Sequence, residues 1–539
     1  MPIRALLPTL ALLTIVLCAQ APEAKPGSVE GLVVNSVTSE PIKKATVSLG
    51  GMELSANSPI TTMTDAAGHY RFDNVEPGSY TVNADRDGFL ASSQGRGSRV
   101  TVTVADGQQL QDVAVKLLPL ATVDGHVLDE NGDPIVRANV GAMRYQYVQG
   151  RKQLTSVGFA STDDRGEFQM ADLSPGRYYF VVNPAAPERD VPPRTRWMHR
   201  EEAYPTTFYP NATDVGQAMA ADLAAGAKLN GVDFRLQKVP AYHLRGKVSG
   251  MTNGTLGFVE LRSASGVGTV SFALQKDGSF DEGGIVSGSY DLTLWRRDGD
   301  SGLYCREKVN VTDSDVNDII VTLSPSLDIS GTITVEGTAP KKLALQVSLQ
   351  PVEDTNLRGA TFQMGDNGSF TIKGVSREAY RVGVFNTPPG KYVKSIRFGD
   401  RDIKDGQIDL TSGVAAPLNI VLGADGASMS GTVETADGQP AVGALVTIAP
   451  EGDNASRDDL FNQTVTDAGG KFEIKDIAPG EYRLFAWEVG TEGLMRSAEF
   501  RAGFESKSVS VTLDSNGHES AALTLITSDE IEKQRSKMP

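Results

Sequence analysis

Two cysteines and five histidines in 539 residues leave little material for disulfide or metal chemistry. Cys18 lies at the end of the first apolar stretch, so Cys305 is the one thiol outside it, and each domain must be held by its own core. Long hydrophobic runs are scarce: beyond Ala5–Leu17 no apolar stretch is long enough to span a bilayer. Basic charge is in deficit, with 51 Lys and Arg against 67 Asp and Glu, a net charge of −16 and a sequence pI of about 4.9. That balance argues against nucleic acid and anionic membrane surfaces as main partners. No Gly-x-Ser-x-Gly elbow, Walker loop or dinucleotide fingerprint occurs, so no catalytic residue and no cofactor is assigned.

What is plentiful is glycine (56) and proline (27), in a chain too long for one hydrophobic core. With long charged helical stretches missing, this composition points to a turn-rich, all-β protein of several domains. The N-terminus, MPIRALLPTLALLTIVLCAQAPEAKPG, has one Arg, an apolar stretch and then small residues. It reads as a secretory signal peptide over residues 1–21, with cleavage near Ala19 or Ala21. Leu17 stands where a lipidation motif needs a small residue, which disfavours a lipoprotein at Cys18. The expectation is an exported protein without a transmembrane span, located in the periplasm, at the cell surface or in the medium.

One phrase recurs. NVEPGSYTVNAD from Asn74, DLSPGRYYFVVN from Asp172 and DIAPGEYRLFAW from Asp476 place Pro-Gly-x-Tyr ahead of a β-rich run. Each follows a hairpin phrase: TDAAGHYRF at Thr64, TDDRGEFQM at Thr162 and TDAGGKFEI at Thr466. Two worn copies run from Gln275 and Gly365, so the phrase tyrosines are Tyr80, Tyr178, Tyr290, Tyr380 and Tyr482. An opening phrase (SVEGLVV, TVDGHVL, HLRGKVS, DISGTIT, SMSGTVE) carries Gly31, Gly125, Gly246, Gly331 and Gly431. Two short alternating runs about a turn close each copy, as in VTVTVADGQQLQDVAVKL. Repeats of about a hundred residues are whole domains rather than solenoid turns. The expected boundaries are 27–119, 120–240 with an insertion at 184–210, 241–325, 326–425 and 426–528, with a flexible tail at 529–539.

Alternation assigns the side-chain directions. Val29, Gly31 and Val33 share a face, so the opening glycine points to the core and makes room for a large neighbour. Asp-x-x-Gly before an aromatic reads as a hairpin loop, with Asp accepting backbone N–H groups and Gly supplying φ > 0. Pro-Gly turns the chain and Tyr anchors the next strand. The recurring phrase is therefore a folding signal rather than a catalytic element.

These phrases, together with P-x-x-x-A-x-V at Pro41–Val47, Pro134–Val140 and Pro440–Val446, resemble the carboxypeptidase regulatory-like domain, a transthyretin-type sandwich. The likeness is strong in repeats 1, 2 and 5 and weaker in 3 and 4. It implies five tandem transthyretin-like or Ig-like β-sandwich domains in an elongated array. It implies function poorly, because the family serves as an accessory module on peptidases, receptors and adhesins, and is grouped with carbohydrate-binding-like folds.

Two metal look-alikes carry too little. His199-Arg200-Glu201-Glu202 supplies a His-x-x-Glu pair, but His243 is the only third histidine nearby and no α/β scaffold exists to hold the set. Asp313–Asp318 begins like a calcium loop but lacks its glycine and its final glutamate. No metal ligand is assigned.

Aromatic residues define the candidate surface. Five positions after the phrase tyrosine stand Trp295, Phe385 and Trp487, where repeats 1 and 2 have Asp85 and Asn183. The insertion after Asn183 adds Arg194, Arg196, Trp197, Arg200 and Tyr204. Rings beside guanidinium groups suit a sugar or anionic ligand; the alternative is that the rings fill interdomain contacts and the insertion is a strap pinned between repeats 2 and 3. The function expected is a non-catalytic scaffold or adhesion protein of the cell envelope, binding polysaccharide, peptide or another envelope protein. The alternative is a carbohydrate-binding or peptidase-accessory protein acting with a separate enzyme, and a zinc carboxypeptidase-like enzyme comes third.

Overall fold

The structure, a computed structural model, describes residues 25–51, 59–90, 100–148, 151–183, 202–250, 258–298, 301–338, 344–353, 361–365, 367–455, 457–488 and 492–538. The expected signal peptide with Cys18, and the candidates Arg194, Arg196, Trp197 and Arg200, lie outside these residues. The chain divides into two compact units, Met1–Leu120 and Ala121–Pro539. The first holds repeat 1 and the second holds repeats 2 to 5. No described helix is long and apolar enough to cross a membrane.

Every repeat is built on the same three-strand frame. In repeat 1 the opening strand Gly27–Asn35 pairs antiparallel with His69–Val75 and parallel with Gln109–Leu117. Repeat 5 places Ala427–Glu434 between Lys471–Ile477 and His518–Ile526 in the same senses. The register is common to all five copies: the opening glycine faces the hairpin aromatic in the pairs Gly31–Tyr70, Gly125–Phe168, Gly246–Phe280, Gly331–Phe370 and Gly431–Phe472. The glycine makes room as expected, and more than a ring needs the space. A Cβ at any of the five would overlap a backbone carbonyl oxygen of the closing segment, from Val113, Val232, Ile319, Leu418 or Ala521.

The second sheet carries the phrase strand. Gly78–Asp85 pairs with Thr46–Gly51, and Gly480–Trp487 with Leu445–Pro450. Between the sheets lie five apolar cores, one in each repeat. The phrase tyrosine points inward and its hydroxyl returns to the turn that precedes it. Tyr80, Tyr178, Tyr290 and Tyr482 donate to the carbonyls of Glu76, Ser174, Val286 and Ala478, each four residues back, at 2.9, 2.6, 2.8 and 2.9 Å. Ring burial and this one bond together fix how the strand leaves the turn.

The hairpin phrase works through two side chains. Asp467 Oδ1 accepts from Gly469 and Lys471 N–H, both at 2.8 Å, and these bonds hold its carboxyl below the usual range. The loop glycines Gly68, Gly166, Gly278, Gly368 and Gly470 all have φ between 71 and 81°. The buried Thr466 hydroxyl accepts from Ala444 N–H and donates to the Ala441 carbonyl, tying the hairpin to the strand before it. Thr64 and Thr162 do the same. In the worn copies Leu274 and Met364 occupy this position without a hydroxyl. Thr466→Val is therefore expected to destabilise repeat 5 by about 1–3 kcal/mol, because it strands a buried donor and acceptor. Hydrogen exchange of the Ala444 amide checks this, and unchanged protection contradicts it.

Within the second unit the repeats touch through strand pairing and through side chains. Glu202–Ala203 pairs with Val239–Pro240, the start of the repeat 3 opening strand Val239–Ser249, joining repeats 2 and 3. Arg306 reaches Asp291 at 3.1 Å and Glu378 at 3.5 Å, and Tyr304 donates to Glu378 at 2.9 Å, joining repeats 3 and 4. Tyr392 of repeat 4 is part of the repeat 5 core and donates to Asp425 at 2.8 Å. Tyr147 of repeat 2 packs on an apolar cluster of repeat 5. Repeat 5 thus meets repeat 2 as well as its neighbour in sequence. Residues 529–537 of the segment expected as a flexible tail belong to a helix, Ser528–Lys537, with a complete capping box and Ile531 buried.

Candidate binding surface

The end of the phrase strand differs from repeat to repeat. In repeat 3 Trp295 lies opposite Tyr304 in the long hairpin Gly288–Asp298/Ser301–Val311 and is 39% exposed. Its ring lies over Gly302, where a Cβ would sit 3.3 Å from the indole nitrogen. Phe385 in repeat 4 lies opposite Gln346, is 47% exposed and folds back over Gly383. Both rings are partly open to solvent near the end of the phrase strand, where stacking on a sugar or a peptide plane could use them.

Trp487 does not share this surface. It is fully buried, stacked with Phe485 at 5.3 Å and Phe500 at 5.8 Å, edge-on to Phe504 at 5.2 Å. Its indole N–H donates to Thr447 Oγ1 at 2.9 Å. Outward alternation correctly puts it outside the sandwich core. The reason it is not exposed is a second apolar layer: helical segments 492–504 and 528–537 cover this face, and the strand end pairs with Ile526.

The described part of the insertion behaves as a strap. Thr207–Phe208 pairs with Val181–Val182, and Phe208 is buried with Met143, Val181 and Val267. Tyr204 packs on the repeat 2 core, donates to Glu130 at 3.2 Å and has Lys238 over its ring. Burial first, and then the Glu130 carboxylate, push its phenol up to about 12. Tyr204 is thus tied into repeat 2 rather than offered to a ligand, and Asn183 is capped by Thr206 at 2.9 Å.

The calcium look-alike has a cation of its own kind. Asp315 accepts from His243 N–H at 2.9 Å and from Arg245 at 2.7 Å, and both lower its carboxyl. His243 Nδ1 meets Asp281 at 2.5 Å. Among the described residues no group of three His, Cys, Asp or Glu side chains is placed to hold a metal. The junction residues Tyr147, Arg306, Glu378 and Tyr392 were not singled out from the sequence. Tyr147, Arg306 and Tyr392 lie outside the recurring phrases, Glu378 stands at the glycine position of the worn Pro-Gly-x-Tyr copy before Tyr380, and only the packing of repeats on one another reveals their contacts.

Residues 28–117 and 428–525, repeats 1 and 5, match the family model of the carboxypeptidase regulatory-like domain. No curated protein matches the chain. Among solved structures, GBS52, the minor pilin of Streptococcus agalactiae, is similar at 13% identity over 40% of this chain and 97% of that one, with a TM-score of 0.24. BcpA, the major pilin subunit of Bacillus cereus, is similar at 12% identity over 56% and 100%, with a TM-score of 0.17. The Bacillus anthracis TIE protein is similar at 13% identity over 56% of this chain and 51% of that one, with a TM-score of 0.17.

Proposed function

We propose, for a chain whose first and fifth repeats match the carboxypeptidase regulatory-like domain, that the protein is an exported, non-catalytic scaffold that binds through the rims of its sandwiches. The observation that carries this reading is the division of labour among the side chains. The recurring glycine, hairpin Asp and phrase tyrosine each serve a backbone contact, whereas Trp295 and Phe385 occur where the copies diverge and remain open to solvent. A large exposed ring has no folding role that requires its exposure, while an aromatic rim is a common anchor for saccharide or peptide.

The partner class proposed is a polysaccharide, a peptide or another envelope protein. Cell fractionation should find the mature chain outside the cytoplasm. Purified protein should bind envelope material, and Trp295→Ala with Phe385→Ala should abolish that binding while leaving the strand-type circular dichroism unchanged. Undiminished binding by the double variant sinks the rim reading. The half-exposed Trp295 also favours the accessory reading, in which the ligand is a glycan. Retention on a glycan array that the same double variant loses would select it over protein adhesion.

A further inference from the structure

Repeat 5 carries two additions. Short helices Glu492–Met495 and Ala498–Ala502 follow its phrase strand, and helix Ser528–Lys537 follows its closing strand. The last helix is strongly specified by its sequence. Thr527 and Glu530 form the capping box, Asp529 and Glu530 stand at its positive end, and Arg535 and Lys537 at its negative end. It is also tied down. Lys507 donates to Glu530 at 2.7 Å, Ser528 N–H and hydroxyl donate to Glu488 at 2.7 and 2.9 Å, and Gln534 lies over Gly503.

These elements cover a face that repeats 3 and 4 leave open. Phe485 and Trp487 stand where those repeats have Thr293 with Trp295 and Gly383 with Phe385. Leu494, Met495, Phe500, Phe504 and Ile531 close over them, and the cluster continues to Tyr147, in the strand Asn139–Val148 of repeat 2. The Tyr147 hydroxyl reaches Glu499 at 3.4 Å and the Met538 sulfur at 3.9 Å, partners 352 and 391 residues away. Both partners lie on the added segments.

We propose that helix Ser528–Lys537, with the segment 492–504 beneath it, is a clasp that holds repeat 5 against repeat 2. Repeats 2 to 5 then form a closed circuit, since junction 2–3 is already made by strand pairing and junctions 3–4 and 4–5 by side chains. A ten-residue helix has little stability of its own in water, so the clasp persists through packing and opens as a unit. Its opening uncovers Phe485, Trp487 and Ile526. The clasp concerns the assembly of the repeats and stands apart from what the rims bind.

Spin labels at Ser161→Cys and Ser520→Cys, both exposed and in repeats 2 and 5, report the distance across the circuit. Cys305 does not compete, being buried with its thiol pushed up to about 12 by burial. The doubly labelled chain without residues 1–21, and so without Cys18, should give one narrow distance peak. Tyr147→Ala, which leaves the five sandwich cores intact, and Ile531→Asp, which lifts the helix, should each lose that peak while the strand-type circular dichroism is kept. A narrow peak surviving in either variant, or missing from the parent, overturns the clasp.

Discussion

Tyr482→Ala is expected to destabilise repeat 5 by about 3–5 kcal/mol, the cost of truncating a large buried aromatic. The ring is 1% exposed and sits in the core with Ile448, Leu484 and Leu513. Its hydroxyl is the donor to the Ala478 carbonyl, so truncation also leaves that carbonyl without its partner. Tyr482→Phe separates the two effects. It keeps the ring and removes the bond, and should cost about 1 kcal/mol on the usual scale for one hydrogen bond. Hydrogen exchange over Gly480–Trp487 in the full chain measures both, and avoids treating a multidomain unfolding curve as two-state. Equal effects from the two variants would mean that the cavity contributes nothing and that the ring is not a core anchor.

Gly431→Ala is the second large effect, although it adds a single methyl group. The new Cβ would overlap the carbonyl oxygen of Ala521 and lie 2.8 Å from the ring of Phe472. The ring can rotate. The carbonyl belongs to the parallel neighbour His518–Ile526, and moving it breaks the ladder on which the repeat is built. Overpacking of this kind typically costs about 1–3 kcal/mol and more where backbone must move, so about 3 kcal/mol is expected. Phe472→Ala in the same background should give no rescue, because the first clash is with backbone. Rescue would show that the ring is the true obstacle. A Gly431→Ala variant as stable as the parent would mean that the frame shifts freely.

The hairpin and phrase signals were legible because they act within a few residues. Asp467 meets N–H groups two and four residues on, and Tyr482 meets a carbonyl four residues back. The opening glycine was legible in direction, since alternation places it inward. Its closest neighbour is an oxygen contributed some ninety residues later in repeat 5, which no local pattern announces. Trp487 shows where position alone fails. Alternation sets it on the outer side of its sheet, as it does Trp295 and Phe385, yet one ring is buried and two are open. Tyr204 fails similarly, since Glu130 and Lys238 engage it from elsewhere in the fold.

The sequence by itself determined the repeated sandwich, the side-chain directions and the turn chemistry, because period-two alternation and Gly, Pro, Asp and Tyr preferences are short-range physics. Only the tertiary structure decided which outer faces are covered. Helix Ser528–Lys537 became a packed layer instead of a free tail, and Tyr147 came to rest on repeat 5 across more than three hundred residues. Contacts of that range depend on how whole sandwiches meet, and burial of an outward ring follows from what docks on it rather than from its own strand.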